Sequence, residues 1–470
     1  VSEIQNKIII YIMSNYFIHF GCWNNGFCSQ DQDSDSINDN DLTKVMKSIR
    51  SLSNKPENER PLFLTVCGDN YYPTKIPKPP ITDQTQMDQT QMDQTQMDQT
   101  QMQMQPQEPK KDKNKDKNKD KNKDKNKDKE EDKHLIISDL ESGFNCLPKD
   151  IPIYMTYGNH DFETKLFINY SKDKKETDCT LTQQEKNLST NNNIHLELFQ
   201  TINFNNNTAI LFIDTTIYDN KNIDDYIHCY SAINSKYINT STVKEDQLEY
   251  IRGFVASVND SIKNIIIVGH HPLAGYKIKK NKDTKIEGLV PVFLDEEINN
   301  ILYNDIYRQL QDRNINYYYL CADIHNYQPG HITINGDIGN MEIKQYIVGT
   351  AGAKKDKIDI DAINRYQVNN IAIYSRLTYV MSNDDLQNAQ QHINTPEKKS
   401  VSGYLKCISD DDGKLTFEFV NVDNVGKSVD TVGGRTRRRG TKRRGTKRRG
   451  TKRRGTRRRN KRRTRTSKRN

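Results

Sequence analysis

Four short clusters of oxygen- and nitrogen-bearing side chains recur along this 470-residue chain: Gly68-Asp69-Asn70-Tyr71-Tyr72, Gly158-Asn159-His160-Asp161, Gly269-His270-His271-Pro272 and Cys321-Ala322-Asp323-Ile324-His325-Asn326-Tyr327-Gln328. Each follows directly on an apolar, β-branched or aromatic run. Strands that end in such clusters can deliver carboxylates, an amide oxygen and imidazoles to one sheet edge as metal ligands. A set of this kind suits two cations ~3.5–4 Å apart, an arrangement that makes a nucleophile from water and clamps a phosphate ester. It needs one carboxylate shared by both ions, with further ligands from several strand ends.

Asp69 is the candidate for the shared carboxylate, because it follows LFLTVC in a Gly-Asp-Asn turn. An aspartate that merely closes an Asx turn is the competing reading of that residue taken alone. Asn159 and His160 follow IPIYMTY, and a capping Asn beside a surface His is the plainer alternative there. His270 follows NIIIVG as a candidate ligand, His271 is expected to line the pocket, and Pro272 ends the strand.

Together the four blocks resemble the calcineurin-like metallophosphoesterases, most closely the purple acid phosphatase branch. The resemblance implies that Asn159 and His270 bind the second metal. His160 would lie over the phosphate and stabilise or protonate the leaving oxygen, and Asp161 would orient its imidazole. The branch carries Cys-Gly-His-Asp-His-Asn-Leu-Gln at the fourth block, so His325 matches a ligand of the first metal. Asp323 stands where a histidine ligand of the second metal is expected, which shifts that position toward harder ions. Near the start, the branch has Gly-Asp-Trp-Gly where this chain has Gly21-Cys22-Trp23-Asn24. Cys22 therefore replaces an aspartate ligand of the first metal; it is either a thiolate ligand favouring zinc or a small buried hydrophobe. Tyr72 matches the tyrosine that binds iron in that branch. The implied cofactors are two metal ions, drawn from iron, zinc or manganese.

The resemblance spans residues 12–425, and the fold it implies is α/β: a four-layered α/β/β/α sandwich of two mixed β-sheets. The sequence pattern agrees with alternating strands and helices. Strands are expected at 8–20, 62–67, 151–157, 209–214, 264–268, 317–321 and 345–349. Helices are expected at 39–52, 243–258 and 295–313. A closing hairpin is expected at 401–408 and 414–420, around an Asp-Asp-Gly turn. Segments 162–200, 219–240 and 274–294 read as polar loops.

Two tracts are of a different material. Residues 82–133 repeat Asp-Gln-Thr-Gln-Met and then Lys-Asp-Lys-Asn, with no apolar stripe, and are expected to be a disordered surface insert. Residues 426–470 form a tail, repeating Gly-Thr-Lys/Arg-Arg-Arg over 435–459. Residues 435–470 carry 22 Lys plus Arg and no acid, against a net charge of +9 for the whole chain, so the body is acidic. Such a polycation is expected to be disordered and to bind nucleic acid by displacing counterions, with little sequence preference. Nuclear targeting and folding back on the acidic body are the other readings of the tail.

Eight cysteines without regular spacing argue against a disulfide framework and for a reducing, intracellular compartment. The apolar stretch 8–20 is too short to span a bilayer and reads as a buried strand. Two functions fit these residues. The first is a binuclear metal-dependent phosphoesterase acting on phosphate esters. The second is a binding protein that kept the fold and lost catalysis, for which Cys22 and Asp323 are the support.

Overall fold

A computed structural model of the chain describes residues 15–28, 40–72, 135–169, 174–188, 193–219, 223–281, 284–369, 372–394 and 398–424. The chain divides into Val1–Val425 and Gly426–Asn470, and the second unit lies wholly outside the described residues. So do the insert at 82–133 and the beginning of the first expected strand.

Two mixed β-sheets carry the first unit. In the six-stranded sheet, strands Tyr16–Phe20, Leu64–Cys67, Ile153–Thr156 and Ile194–Leu196 run parallel in that order. The hairpin Gly403–Ser409 and Leu415–Asn421 adds antiparallel strands beyond Tyr16–Phe20. The eight-stranded sheet has a parallel centre, Thr208–Phe212, Asn264–Val268, Asn316–Cys321 and Gly339–Val348. Antiparallel strands flank that centre on both sides, Gln200–Asn205 on one and Tyr327–Gly336, Leu377–Val380 and Ala372–Tyr374 on the other.

The parallel strands Tyr16–Phe20, Leu64–Cys67, Thr208–Phe212 and Asn264–Val268 are buried at every residue. Side chains alternate with the period of two that a strand imposes. Ile265 and Ile267 belong to one buried cluster, whereas Ile266 and Val268 belong to another. In the six-stranded sheet, Ile18 and Phe20 pack in a third cluster, but Phe17 joins Ile266 and Val268. Side chains from the two sheets meet directly in that shared cluster. Phe17 meets Phe204 edge-on at 5.0 Å, and Tyr346 stacks on Phe417 at 4.6 Å.

Helices pack against two of these clusters. Helix Asp41–Ser53 starts where Asn40 accepts a hydrogen bond from Thr43 N at 2.8 Å, an N-cap of the usual kind. Its Leu42, Val45, Met46 and Ile49 form one stripe packed with Ile18 and Phe20. Helix Thr240–Ser257 buries Val243, Ile251 and Phe254 in the cluster of Ile265 and Ile267. The expected helix at 295–313 is a broken one: Glu296–Ile301 is α-helical, Leu302–Tyr307 widens to a π-turn, and Arg308–Leu310 resumes the α-helix.

Two expectations about the connections fail. The polar segments after 162 and after 219 are not plain loops. They contain the hairpin Thr164–Asn169 with Lys174–Cys179 and the helices Thr180–Leu188 and Ile223–Ile233. Segment 274–294 forms a seven-pair hairpin, Ala274–Lys280 with Glu287–Phe293. The cysteines are also paired where none was expected: Cys28 with Cys146, and Cys179 with Cys229. These pairs join residues 118 and 50 positions apart, so only folding brings them together and local spacing carries no trace of them. Disulfides persist in oxidising surroundings, and the cysteine count therefore does not argue for a reducing one. Cys22, Cys67, Cys321 and Cys407 remain as buried thiols. Among the described residues no helix is long and apolar enough to cross a membrane.

His19 lies fully buried in the six-stranded sheet, its Nδ1 2.9 Å from Thr65 Oγ1 and its Nε2 3.4 Å from Cys67 Sγ. Burial lowers its pKa from 6.5 to about 3. The unfolded chain therefore binds a proton here that the folded chain does not, between those two values. Stability must rise with pH across that window and fall as pH drops through it. Denaturant titrations at pH 7 and pH 5 are expected to differ by about 2 kcal/mol from this group. The His19→Gln chain should lose that part of the slope, and an unchanged slope would contradict the assignment.

Candidate metal centre

One construction repeats at four strand ends. Gly21-Cys22 follows strand Tyr16–Phe20, Gly68-Asp69 follows Leu64–Cys67, Gly269-His270 follows Asn264–Val268, and Ala322-Asp323 follows Asn316–Cys321. In each case a residue with little or no side chain comes first and the chemical side chain second. The first position is small because the strand ends crowd together. A Cβ on Gly21 would stand 2.7 Å from the Cβ of Ala322, and one on Gly68 would stand 2.5 Å from the backbone nitrogen of Gly158. At the second position Cys22, Asp69 and Asp323 all adopt left-handed backbone, with φ of 50°, 50° and 49°. That conformation costs a non-glycine residue about 1 kcal/mol or more and concentrates where function requires it.

Asp69 stands at the centre, almost wholly buried, and its two oxygens face different partners. Tyr72 Oη donates to Oδ2 at 2.6 Å, and Cys22 Sγ lies 3.8 Å from the same oxygen. Oδ1 lies 3.3 Å from His270 Nε2 and accepts from His160 N at 3.1 Å. His325 joins the first group, its Nε2 3.0 Å from Tyr72 Oη, and Asn159 joins the second, its Oδ1 3.2 Å from His270 Nε2. Asp323 reaches the second group as well, because one ligand atom from each of His270, His271 and Asp323 falls within 4.8 Å of the others. Cys22, Asp69 and His270 satisfy the same test. The structure thus brings together all seven side chains singled out as ligands.

Both candidate histidine ligands are held by their other nitrogen. His270 Nδ1 is 2.8 Å from Cys67 O, and His325 Nδ1 is 2.9 Å from Lys354 O. A carbonyl only accepts, so each Nδ1 carries its proton and each Nε2 is the atom turned to the centre. His270 Nε2 then faces two oxygens, from Asp69 and Asn159, and needs a positive charge there, either a proton or a metal ion. Burial alone would lower the His270 pKa, but the Asp69 carboxylate raises it to about 9. The Asp69 carboxyl, which burial alone would raise, is held well below its usual range by the His270 and His160 rings. Burial and the Asp69 charge push the Cys22 thiol and the Tyr72 phenol well above their ordinary values. These are oxygen, nitrogen and sulfur donors in a buried pocket that favours added positive charge, and they suit a metal centre.

His160 does not lean on Asp161, as the resemblance implied. Its Nδ1 lies 3.1 Å from Glu163 Oε1, and Lys165 Nζ sits 3.0 Å from the other oxygen of that carboxylate. Burial would depress the His160 pKa, but Asp69 and Glu163 raise it to about 9. Asp161 is turned inward. It accepts from Gly158 N at 2.7 Å, Asn70 N at 2.9 Å, Asn70 Nδ2 at 3.2 Å and Gln184 Nε2 at 2.6 Å. The first turn after Gly158 is a short 3-10 helix whose N-terminus this carboxylate caps, which aims it at backbone rather than at the imidazole. Its role is to tie the Asp69 turn to the Asn159 turn. Removing it strands four buried donors, each costing about 1–3 kcal/mol when left unpaired. Asp161→Ala is expected to lower unfolding stability by roughly 3 kcal/mol or more in denaturant, and a loss under 1 kcal/mol would contradict this role.

Sequence reasoning missed Glu163, although it stands three residues after His160 in the same block. It also missed Lys277, from the hairpin that was taken as a loop. Lys277 Nζ lies 3.8 Å from Asp323 Oδ2 and 3.7 Å from Asp356 Oδ2, and Asp356 accepts from His325 N at 3.2 Å. Burial would raise the Asp323 pKa, but Lys277 keeps it below its ordinary value. His271 is where it was expected, beside the site. Its backbone N donates to Thr215 Oγ1 at 2.9 Å, and its Nε2 lies 3.8 Å from Asp219 Oδ2. A cleft of about 220 Å³ opens onto this end of the centre, lined among others by Asn159, Glu163, Asp219, His271, Phe293 and Asp323. No protein-family model matches the chain, and no curated protein matches it.

Proposed function

We propose that the chain is a binuclear metal-dependent phosphoesterase, acid-phosphatase-like, hydrolysing phosphate esters in the cleft beside Asn159 and Asp323. The observation that carries this reading is the carboxylate of Asp69, with Cys22 and Tyr72 on one oxygen and His270 on the other. Cys22, Tyr72 and His325 would hold one ion with Asp69. Asn159, His270 and Asp323 would hold the second. Two such ions, of iron, zinc or manganese, supply an activated water and offset charge on the phosphoryl oxygens.

The chain's own side chains do the rest. His160, fixed over Asp69 by its backbone hydrogen bond, has its Nδ1 3.1 Å from Glu163, a carboxylate that favours the protonated ring, and can give a proton to the departing alcohol oxygen. Cys67 O and Lys354 O hold the two ligand rings in orientation. Asp161 and Asn70 keep the two ligand-bearing turns together.

The same reading takes the fold as a four-layered α/β/β/α sandwich. Its support is the membership of the three apolar clusters: one shared between the sheets, and one on the outer face of each with helices. A basic tail at 435–470 that binds nucleic acid remains part of the proposal, on its charge alone. The competing reading, a binding protein without catalysis, draws on Lys277, whose ammonium competes with any metal for Asp323. Hydrolysis of an aryl phosphate by the full chain separates the two. The enzyme reading expects turnover that a chelator abolishes and that added zinc, manganese or iron restores. Turnover absent with every metal would support the binding protein.

A further inference from the structure

Outside the Asp69 centre, a disulfide sits beside an imidazole. Cys179 ends the hairpin Thr164–Asn169 with Lys174–Cys179, where it pairs directly with Thr164, and Cys229 lies in helix Ile223–Ile233. His228 turns its Nε2 toward this bond. That atom lies 3.3 Å from Cys229 Sγ and hydrogen-bonds with Thr164 Oγ1, which itself lies 3.9 Å from Cys229 Sγ. One ligand atom from each of Cys179, His228 and Cys229 falls within 4.8 Å of the others. We propose that these three side chains form a separate site for one zinc ion, which takes the place of the Cys179–Cys229 disulfide when the chain is reduced.

Two thiolates and one imidazole are ligands that zinc takes readily, with a fourth position left for water. The exchange balances. A dithiol gives two electrons and two protons to the S–S bond and becomes a disulfide itself, while Cys179 and Cys229 become thiols. Zinc then bonds to both sulfurs and to His228 Nε2, and the two thiol protons pass to solvent. The sulfurs need only part to about 3.8 Å, the edge of a tetrahedron with bonds of about 2.3 Å. Both cysteines are buried, but His228 and Thr164 are exposed, so ion and reductant approach from their side. What the link holds gives it a purpose in either redox state. Thr180, next to Cys179, donates from its N and its Oγ1 to Glu163 O, each at 3.0 Å. Tyr230, next to Cys229, stacks on Phe162 at 4.1 Å, and Tyr226 on the same helix lines the cleft. A bond between the two segments therefore fixes a cleft wall against Glu163, the residue that holds His160. Zinc keeps that bond in surroundings where a disulfide does not last.

Zinc bound per full-length chain is counted in the disulfide-bonded state, and again after dithiol reduction and removal of the reductant without air. The proposal expects one more zinc in the reduced chain. The comparison is between two states of one chain, so it holds whether or not the Asp69 centre keeps its ions, and its failure leaves the phosphoesterase reading standing. His228→Ala, at an exposed position, should form the disulfide as before and bind the added zinc at least tenfold more weakly. Zinc should also slow alkylation of Cys179 and Cys229 in the reduced chain, read by mass spectrometry of their peptides. Equal zinc in both states, an added zinc that His228→Ala binds as tightly, or protection confined to Cys28 and Cys146 overturns the proposal. If reduction alone unfolds the chain, zinc present during reduction is expected to preserve its circular dichroism. A chain that unfolds with zinc present overturns the proposal as well.

Discussion

Asp69→Ala is expected to remove metal retention and hydrolysis together. Asp69 touches both donor groups: Tyr72 and Cys22 meet one of its oxygens, and His270 meets the other. Without it, His270 Nε2 keeps the neutral Asn159 oxygen as its hydrogen-bond partner, and Tyr72 loses the acceptor that orients its phenol. The groups act as a unit, and removing one member of such a unit costs nearly as much as removing all of them. Turnover should fall by roughly 10⁴-fold or more. The substitution also strands Tyr72 Oη and His160 N, at about 1–3 kcal/mol each, so the comparison is made on protein shown to be folded. Metal content, turnover and circular dichroism on the same preparation check this. A folded Asp69→Ala chain that keeps both ions would contradict the bridging role.

The second large effect belongs to His160. As a proton donor to the leaving oxygen it should matter in proportion to how much help that oxygen needs. His160→Gln is expected to lower kcat by about 10²–10⁴-fold for alkyl phosphates, and far less for aryl phosphates with acidic phenols. In the metal-free chain Asp69 and Glu163 raise the His160 pKa to about 9; cations held at Asp69 would offset the Asp69 share and leave Glu163 as the carboxylate that favours the protonated ring. Activity that depends on the protonated ring is present below the pKa of His160 in the metal-loaded chain and is lost as pH rises through it. Glu163→Gln removes one of the carboxylates responsible, so this alkaline limb should move to lower pH. Asp161→Asn should leave the limb where it is, because Asp161 hydrogen-bonds to Asn70, Gly158 and Gln184 and not to His160. An equal fall for aryl and alkyl esters in His160→Gln would argue for a positioning role in place of proton donation.

The site was more legible in the sequence than the scaffold around it. A candidate ligand two residues past a hydrophobic strand is a local pattern, and Asp69, His270 and Asp323 all show it. Cys22 shows it too, marked by the lone Trp23 that follows. Partners supplied from elsewhere were illegible. Lys277 reaches Asp323 from a hairpin whose first strand, Ala274–Lys280, is rich in lysine. The backbone acceptors that orient His270 and His325 have no side-chain signature at all. The disulfides join cysteines whose spacing follows no motif. The exchange of Glu163 for Asp161 beside His160 turned on a single backbone feature, the 3-10 turn after Gly158, which points the nearer carboxylate inward.

Metal content per chain is the most direct test of all this. Elemental analysis of purified full-length protein, set against its concentration from amino-acid analysis, is expected to give two transition-metal ions per chain. Asp69→Ala should give fewer than one. Fewer than one ion in the wild-type chain, after incubation with zinc, manganese and iron, would contradict the account at its root.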